Sequence, residues 1–293
     1  MVFLNHGLWL GILLAMAVLA ACALWRQALC ERIAASPWLF AAGWLMLTLL
    51  LSRNLGATAL AVLIAPVILL ASIRVQLLLA AAIAGAVLLF PMLRGGGWVP
   101  TEAVVSIAQS VDAERAASLQ FRLDHEDRLL EHANAKPLGG WGSWGRNRVY
   151  DPVTGRDLSV TDGYWVIVIG SFGWLGYIAR FGLLTVPILL LAFRRREEVT
   201  PATAGLALVL AVGLIDLIPN ATISPITWLI AGALAGYCLR VHAGEPEAQK
   251  AEAIPARWQA THPGGPLRPV LEGGVAAASV APSPSSHQRQ PRS

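Results

Sequence analysis

The chain has 293 residues, of which 56% are hydrophobic and 14% charged, and its mean hydropathy is +0.58. A charged fraction so far below the roughly 25% of soluble proteins excludes a disordered chain and an ordinary soluble enzyme. Three Cys (Cys22, Cys30 and Cys238) with no C-x-x-C spacing exclude a disulfide-built secreted domain, and they read as small membrane-buried residues. The net charge of +4 comes from 22 cations against 18 acids. Nearly all the cations are Arg, and many stand at the ends of apolar runs, where they set orientation. No basic patch with interleaved aromatics occurs in a polar region, so nucleic acid is excluded as a partner.

A spanning helix needs about 20 mostly apolar residues. The apolar runs are 8–25, 37–51, 55–73, 75–93, 164–193, 203–217 and 223–239, which predicts seven spans. The first is not a cleavable signal, because it lacks a basic leader and another apolar run follows it. The run 164–193 is too long for one upright helix and carries Gly170, Gly173 and Gly176 in its first half. It reads as a short interfacial or re-entrant piece followed by a full span from about Trp174. Arg26, Arg32, Arg74, Arg194, Arg195, Arg196 and Arg240 all fall on one side if the chain alternates, and that side is assigned to the cytoplasm. The segment 242–293 is rich in Pro and polar residues and is expected to be disordered.

The segment 94–162 is the one sizeable polar region, on the opposite side. Its first half predicts a helix with Val111, Ala116, Leu119, Leu123 and Leu130 along one side. Arg122, Asp124, His125, Glu126 and Asp127 crowd the remainder. Two readings stay open: a solvated helix lying on the bundle, or an acid, imidazole and Arg cluster facing a polar cavity. In the second half, Gly140, Gly142 and Gly145 match G-x-G-x-x-G by spacing, but no βαβ context surrounds them, and a phosphate-binding loop fails at Arg146 and Asn147. Trp141 and Trp144 offer flat faces to sugars or serve as interface aromatics. Arg146 and Arg148 are candidates for phosphate oxygens. His125 and His132 are seven apart, a poor spacing for one metal ion, so no metal and no other cofactor is expected.

Within or beside the apolar runs stand Arg53, Arg180 and Asp216, and an ionisable residue in a span is a functional candidate by default. Arg180 and Asp216 both fall in the outer half of the bilayer and are expected to neutralise each other. Arg53 has no acidic partner in its own run. It suits a lipid phosphate, bound specifically or as a snorkelling contact with bulk lipid.

The order of these features resembles the O-antigen ligase and O-antigen polymerase family of bacterial inner-membrane enzymes. The resemblance rests on Ser52-Arg53 at a span end, Arg122 in an external loop and Pro137-Leu138-Gly139-Gly140-Trp141-Gly142. It continues with Thr161-Asp162 and Tyr164 where the chain returns to the membrane, then Gly173-Trp174-Leu175-Gly176. It covers about residues 43–196. It implies glycosyl transfer at the periplasmic face, from a glycan on undecaprenyl diphosphate to a glycan acceptor, with Arg53 and Arg122 holding the diphosphate. Thr161-Asp162 stands where ligases of the family carry a His-Asn-like pair, which favours polymerase-like chemistry. Fewer spans precede the Ser-Arg element than is usual, as in a shortened or divergent member.

The expected fold is therefore an all-α polytopic membrane protein. Spans one to four occupy 1–93, a large, partly helical periplasmic loop 94–162, the re-entrant piece and spans five to seven 163–241, and a cytoplasmic tail 242–293. Asp162 is the leading general base, with His125 and Glu126 as rivals. Substrate contacts are assigned to Arg53, Arg122, Arg146, Arg148, Trp141 and Trp144. Two other classes remain: a non-catalytic partner in a polysaccharide assembly complex, and a transporter, which the large loop and lack of an inverted repeat disfavour.

Overall fold

The computed structural model describes residues 7–194, 198–221 and 223–243. Arg195, Arg196 and residues 244–293, which make up nearly all of the expected disordered tail, lie outside the described residues. Nine helices are described: α1 (Gly7–Glu31), α2 (Ser36–Leu51), α3 (Leu55–Leu70), α4 (Ile73–Gly95), α5 (Thr101–Val111), α6 (Ala113–Asn134), α7 (Tyr164–Ala192), α8 (Pro201–Asp216) and α9 (Pro225–Ala243). Among the described residues no strand forms, and one isolated bridge pairs Tyr150 with Asp157.

Three helices, α1, α4 and α7, are long and apolar enough to cross a membrane. The helices α2, α3 and α8 are apolar but have 16 residues each. A helix of that length rises about 24 Å, short of a hydrocarbon layer of roughly 30 Å.

Local chemistry sets where these helices start. The Asn54 side chain accepts from the Ala57 N–H at 3.1 Å, Ser72 Oγ from Val75 N–H at 3.4 Å and Thr200 Oγ1 from Thr203 N–H at 3.2 Å. Each satisfies one of the N–H groups that a helix start leaves unpaired. Pro91 lies inside α4 and cannot donate to the carbonyl of Val87. The Tyr177 hydroxyl of α7 donates to that carbonyl instead, at 3.0 Å, which ties α7 to α4.

The core is centred on α8, whose Ala204, Ala207, Leu208, Leu210 and Ala211 are fully buried. α8 packs on α1, α4 and α9, α4 packs on α7, and α2 and α3 pack on α1. At the α1–α8 crossing a Cβ on Gly205 would stand 2.3 Å from that of Ala23. Small residues there let two backbones approach closely, which drives helix association where lipid removes the hydrophobic drive.

The two ends of the bundle differ. At one end Arg26 donates to the Ile68 carbonyl at 2.8 Å and also to that of Ala71, the Ala202 N–H donates to Gln27 at 3.1 Å, and Arg194 donates to the Cys238 carbonyl at 3.2 Å. These bonds gather the C-terminal ends of α1, α3, α7 and α9 with the N-terminal end of α8. The opposite end carries Arg53, Arg94, α5, α6, Asp162 and Asp216, so the polar segment between α4 and α7 sits on the side away from Arg26 and Arg194.

α7 is not one rod. Gly173 has φ 67° and ψ −174°, a non-helical conformation inside it. Arg180 Nη1 donates to the Tyr164 hydroxyl at 3.0 Å, and the Tyr164 and Phe181 rings are 6.0 Å apart. Sixteen residues of straight helix would separate such positions by about 24 Å. The segment 164–172 therefore folds back on 174–192, with the bend one residue before Trp174.

Candidate functional site

The site is built where α6 meets the start of α7. In α6 the buried positions are Ala116, His125, Glu126, Leu129, Leu130 and Ala133, and those from 125 onward recur at helical spacing. His125 and Glu126 thus belong to the face that α6 packs on α7, together with the apolar residues, while Arg122, Asp124 and Asp127 stay exposed.

Arg94, from the last turn of α4, organises this face. Its guanidinium pairs with Asp127 at 2.9 Å, donates to the Leu123 carbonyl at 3.4 Å and reaches Thr101 at 3.4 Å. The side chain is 8% exposed, and its Nε is buried without a partner. A buried cation binding α4, α5 and α6 was not singled out from sequence, where Arg94 reads only as the end of an apolar run.

Asp162 pairs with Arg122 Nε at 3.4 Å, one residue before the N-cap Gly163 of α7. His125 Nδ1 accepts from the Val160 N–H at 3.3 Å, which straps the segment leading to Asp162 onto α6. With Nδ1 used as an acceptor, His125 holds the backbone two residues before Asp162. The Phe121 ring meets the imidazole edge-on, 4.2 Å between centroids. Of the three candidate bases, the structure brings all three together with Arg122.

Burial pushes the Glu126 carboxyl up to about 7 from its ordinary 4.5. Arg94 opposes that rise, and so does the Trp165 indole, whose N–H lies near the carboxylate without meeting hydrogen-bond geometry. Asp127 and Asp162 raise it further. The folded state therefore holds a proton that the unfolded chain releases, and stability falls as pH rises from about 4.5 to about 7. The shift corresponds to about 3 kcal/mol. Glu126→Gln is expected to raise the thermal midpoint at pH 8 and to leave it near wild type at pH 4.5. Melts of the detergent-solubilised protein at the two pH values check this, and an equal shift at both would refute it.

The loop 136–149 closes the bend in α7. Trp141 N–H donates to the Gly170 carbonyl at 2.8 Å, Gly142 N–H to that of Ser171 at 2.9 Å, and Trp174 N–H to that of Pro137 at 2.7 Å. These are the groups that a broken helix leaves open, and the loop satisfies them. The Trp141 indole is spent on the protein: His132 stacks on it at 4.4 Å, Lys136 sits over its ring at 4.0 Å, and its N–H donates to the His132 carbonyl at 2.8 Å. Trp144 is different. It is 95% exposed and has a positive φ of 66°, so its ring face is open.

The other predicted contacts separate. Arg148 pairs with Asp157 at 2.7 Å, and Arg146 Nε donates to the Ser143 carbonyl at 3.1 Å, so both spend donors inside their own loop. Arg53 lies in the α2–α3 turn at the same end of the bundle. It is exposed, has φ 55°, and among the described residues its side chain makes no ion pair. A left-handed residue after a helix C-terminus is a common stop, and the cation complements the negative end of the α2 dipole.

The expected Arg180–Asp216 pair does not form. Arg180 is held by the Tyr164 hydroxyl and lies 4.6 Å over the Phe172 ring, both on the folded-back part of α7. Asp216 accepts from Asn220 at 2.7 Å. The bend at Gly173 is the physical reason, because it supplies Arg180 with nearer partners.

Among the described residues no group of three or more His, Cys, Asp or Glu is arranged to hold a metal ion. In comparisons with known proteins, no family model matches the chain, nor does any curated protein or any solved structure.

Proposed function

We propose that the chain is a polytopic glycosyltransferase of the bacterial inner membrane that uses a polyprenyl-diphosphate-linked glycan as donor. Its seven passes are α1–α4, 174–192, α8 and α9, the bilayer thinning locally around the 16-residue helices α2, α3 and α8, and residues 94–162 face the periplasm. The observation that carries the reading is the Arg122–Asp162 pair beside buried Glu126, at the end of the bundle opposite Arg26 and Arg194.

The donor diphosphate binds Arg122 and exposed Arg53. Arg122 exchanges Asp162 for the diphosphate, which frees the carboxylate. The acceptor hydroxyl oxygen attacks the anomeric carbon, and its proton passes to Asp162. The bond from that carbon to the diphosphate breaks, and its electron pair leaves with the diphosphate, whose growing charge the guanidinium groups stabilise. Trp144 offers its open face to the glycan.

Purified protein incubated with an undecaprenyl-diphosphate-linked saccharide and a glycan acceptor tests the reading. The expected products are an extended glycan and free undecaprenyl diphosphate. Arg53→Ala removes one phosphate contact and is expected to raise KM for the donor about tenfold. A folded, pure protein that releases no diphosphate from a panel of such donors sinks the proposal and favours a non-catalytic partner in polysaccharide assembly.

A further inference from the structure

A cleft of about 60 Å³ opens between the N-terminal half of α1, the C-terminal end of α8 and the start of α9. That is room for roughly four water-sized groups. Trp9, Ile12 and Met16 form an apolar wall, Ser224 and Thr227 supply hydroxyls, and, among the described residues, Asp216 supplies the one carboxylate. We propose that this cleft binds the ammonium group of an amphiphile, with its first methylenes against Ile12 and Met16.

The carboxylate is placed against its own electrostatic interest. It is half-buried beside apolar side chains, and it is the last residue of α8, where the negative end of the helix dipole disfavours an anion. Its recorded partner is the neutral Asn220 amide. Among the described residues no cation pairs with it, and Arg180 is engaged on α7. A cation in the cleft offsets burial, dipole and missing charge partner together.

The walls choose among cations. Magnesium and calcium take six or more oxygen ligands, and an apolar cleft with one carboxylate and two hydroxyls falls short of that. An ammonium group needs only three acceptors and tolerates methylenes alongside. The Trp9 indole adds an aromatic wall of the kind cations favour. Beside the cleft on α9, Ile226 and Leu229 are exposed, so an alkyl chain has an apolar path outward. The amine comes from an aminophospholipid headgroup or from a free long-chain amine.

The test is equilibrium binding of radiolabelled dodecylamine to the full chain in dodecyl maltoside, with dodecanol as the uncharged match. The amine is expected to bind saturably and about tenfold or more tighter than the alcohol. Asp216→Asn preserves shape and an Asn220 contact and is expected to erase that preference. Ile12→Trp fills the cleft beside an intact carboxylate and is expected to erase binding. Competition by added phosphatidylethanolamine assigns the site to a lipid headgroup, and its absence assigns it to a free amine. Wild-type affinity in Asp216→Asn, or equal affinity for amine and alcohol, overturns the proposal. Loss of glycosyl transfer in an Arg53 or Arg122 variant leaves it untouched.

Discussion

Asp162→Asn is expected to lower kcat for glycosyl transfer by about 10²–10³-fold with little change in donor KM, because the amide keeps the shape and loses the base. Arg122→Ala is expected to lower kcat by a similar factor, about 10²–10³-fold, and also to raise KM, since a group that holds the diphosphate acts in both ground and transition states. The Arg122 and Asp162 side chains are 44% and 31% exposed, and an ion pair that open to water contributes less than about 1 kcal/mol to stability. Both variants should therefore fold, and the assay reads chemistry. The two residues touch, so the double variant should lose less than the product of the single losses. Steady-state kinetics of the purified variants decide the matter. A residual kcat above about a tenth of wild type in Asp162→Asn would move the base to Glu126, whose carboxyl sits in the same cluster.

Gly173→Ala is expected to destabilise the protein by about 2–6 kcal/mol, from the cost of a backbone conformation nearly restricted to Gly and from overpacking. A Cβ at Gly173 would stand 2.1 Å from the Leu138 carbonyl oxygen and 2.6 Å from that of Pro137, so the loop would have to leave the bend. Its departure would uncover the carbonyls of Gly170 and Ser171 and the N–H of Trp174. Limited proteolysis should then cut the loop 136–149 faster, and the melting temperature should fall. Gly182→Ala is the control within the same helix: nothing stands within 4 Å of its added Cβ. Equal protease sensitivity in wild type and Gly173→Ala would show that the loop is not held by the bend.

Several features of the fold follow from short stretches of sequence. The apolar runs predict the helices, and the turn residues Asn54, Ser72 and Thr200 cap the helices they precede. The glycines of 164–193 point to a break near Trp174, and Gly173 supplies the non-helical residue. The candidate site was less legible. A helical wheel places Glu126 among the charged residues of α6, but packing against α7 decides which of them face inward. Arg94 looked like the end of an apolar run because its partners Asp127 and Leu123 lie about thirty residues away. Trp141 and Trp144 are alike in sequence, and only the docking of the loop on α7 covers one and leaves the other open.

By itself the sequence determined that this is an all-helical, strongly apolar chain with its main polar segment between α4 and α7. Those properties follow from hydropathy and caps, which act within a few residues. Tertiary structure alone decided that Arg180 binds Tyr164 instead of Asp216, and that Arg122, His125, Glu126 and Asp162 share one place. Such pairings join residues far apart in the chain. They depend on which surfaces dock and on how burial and neighbouring charges then divide the few polar partners available.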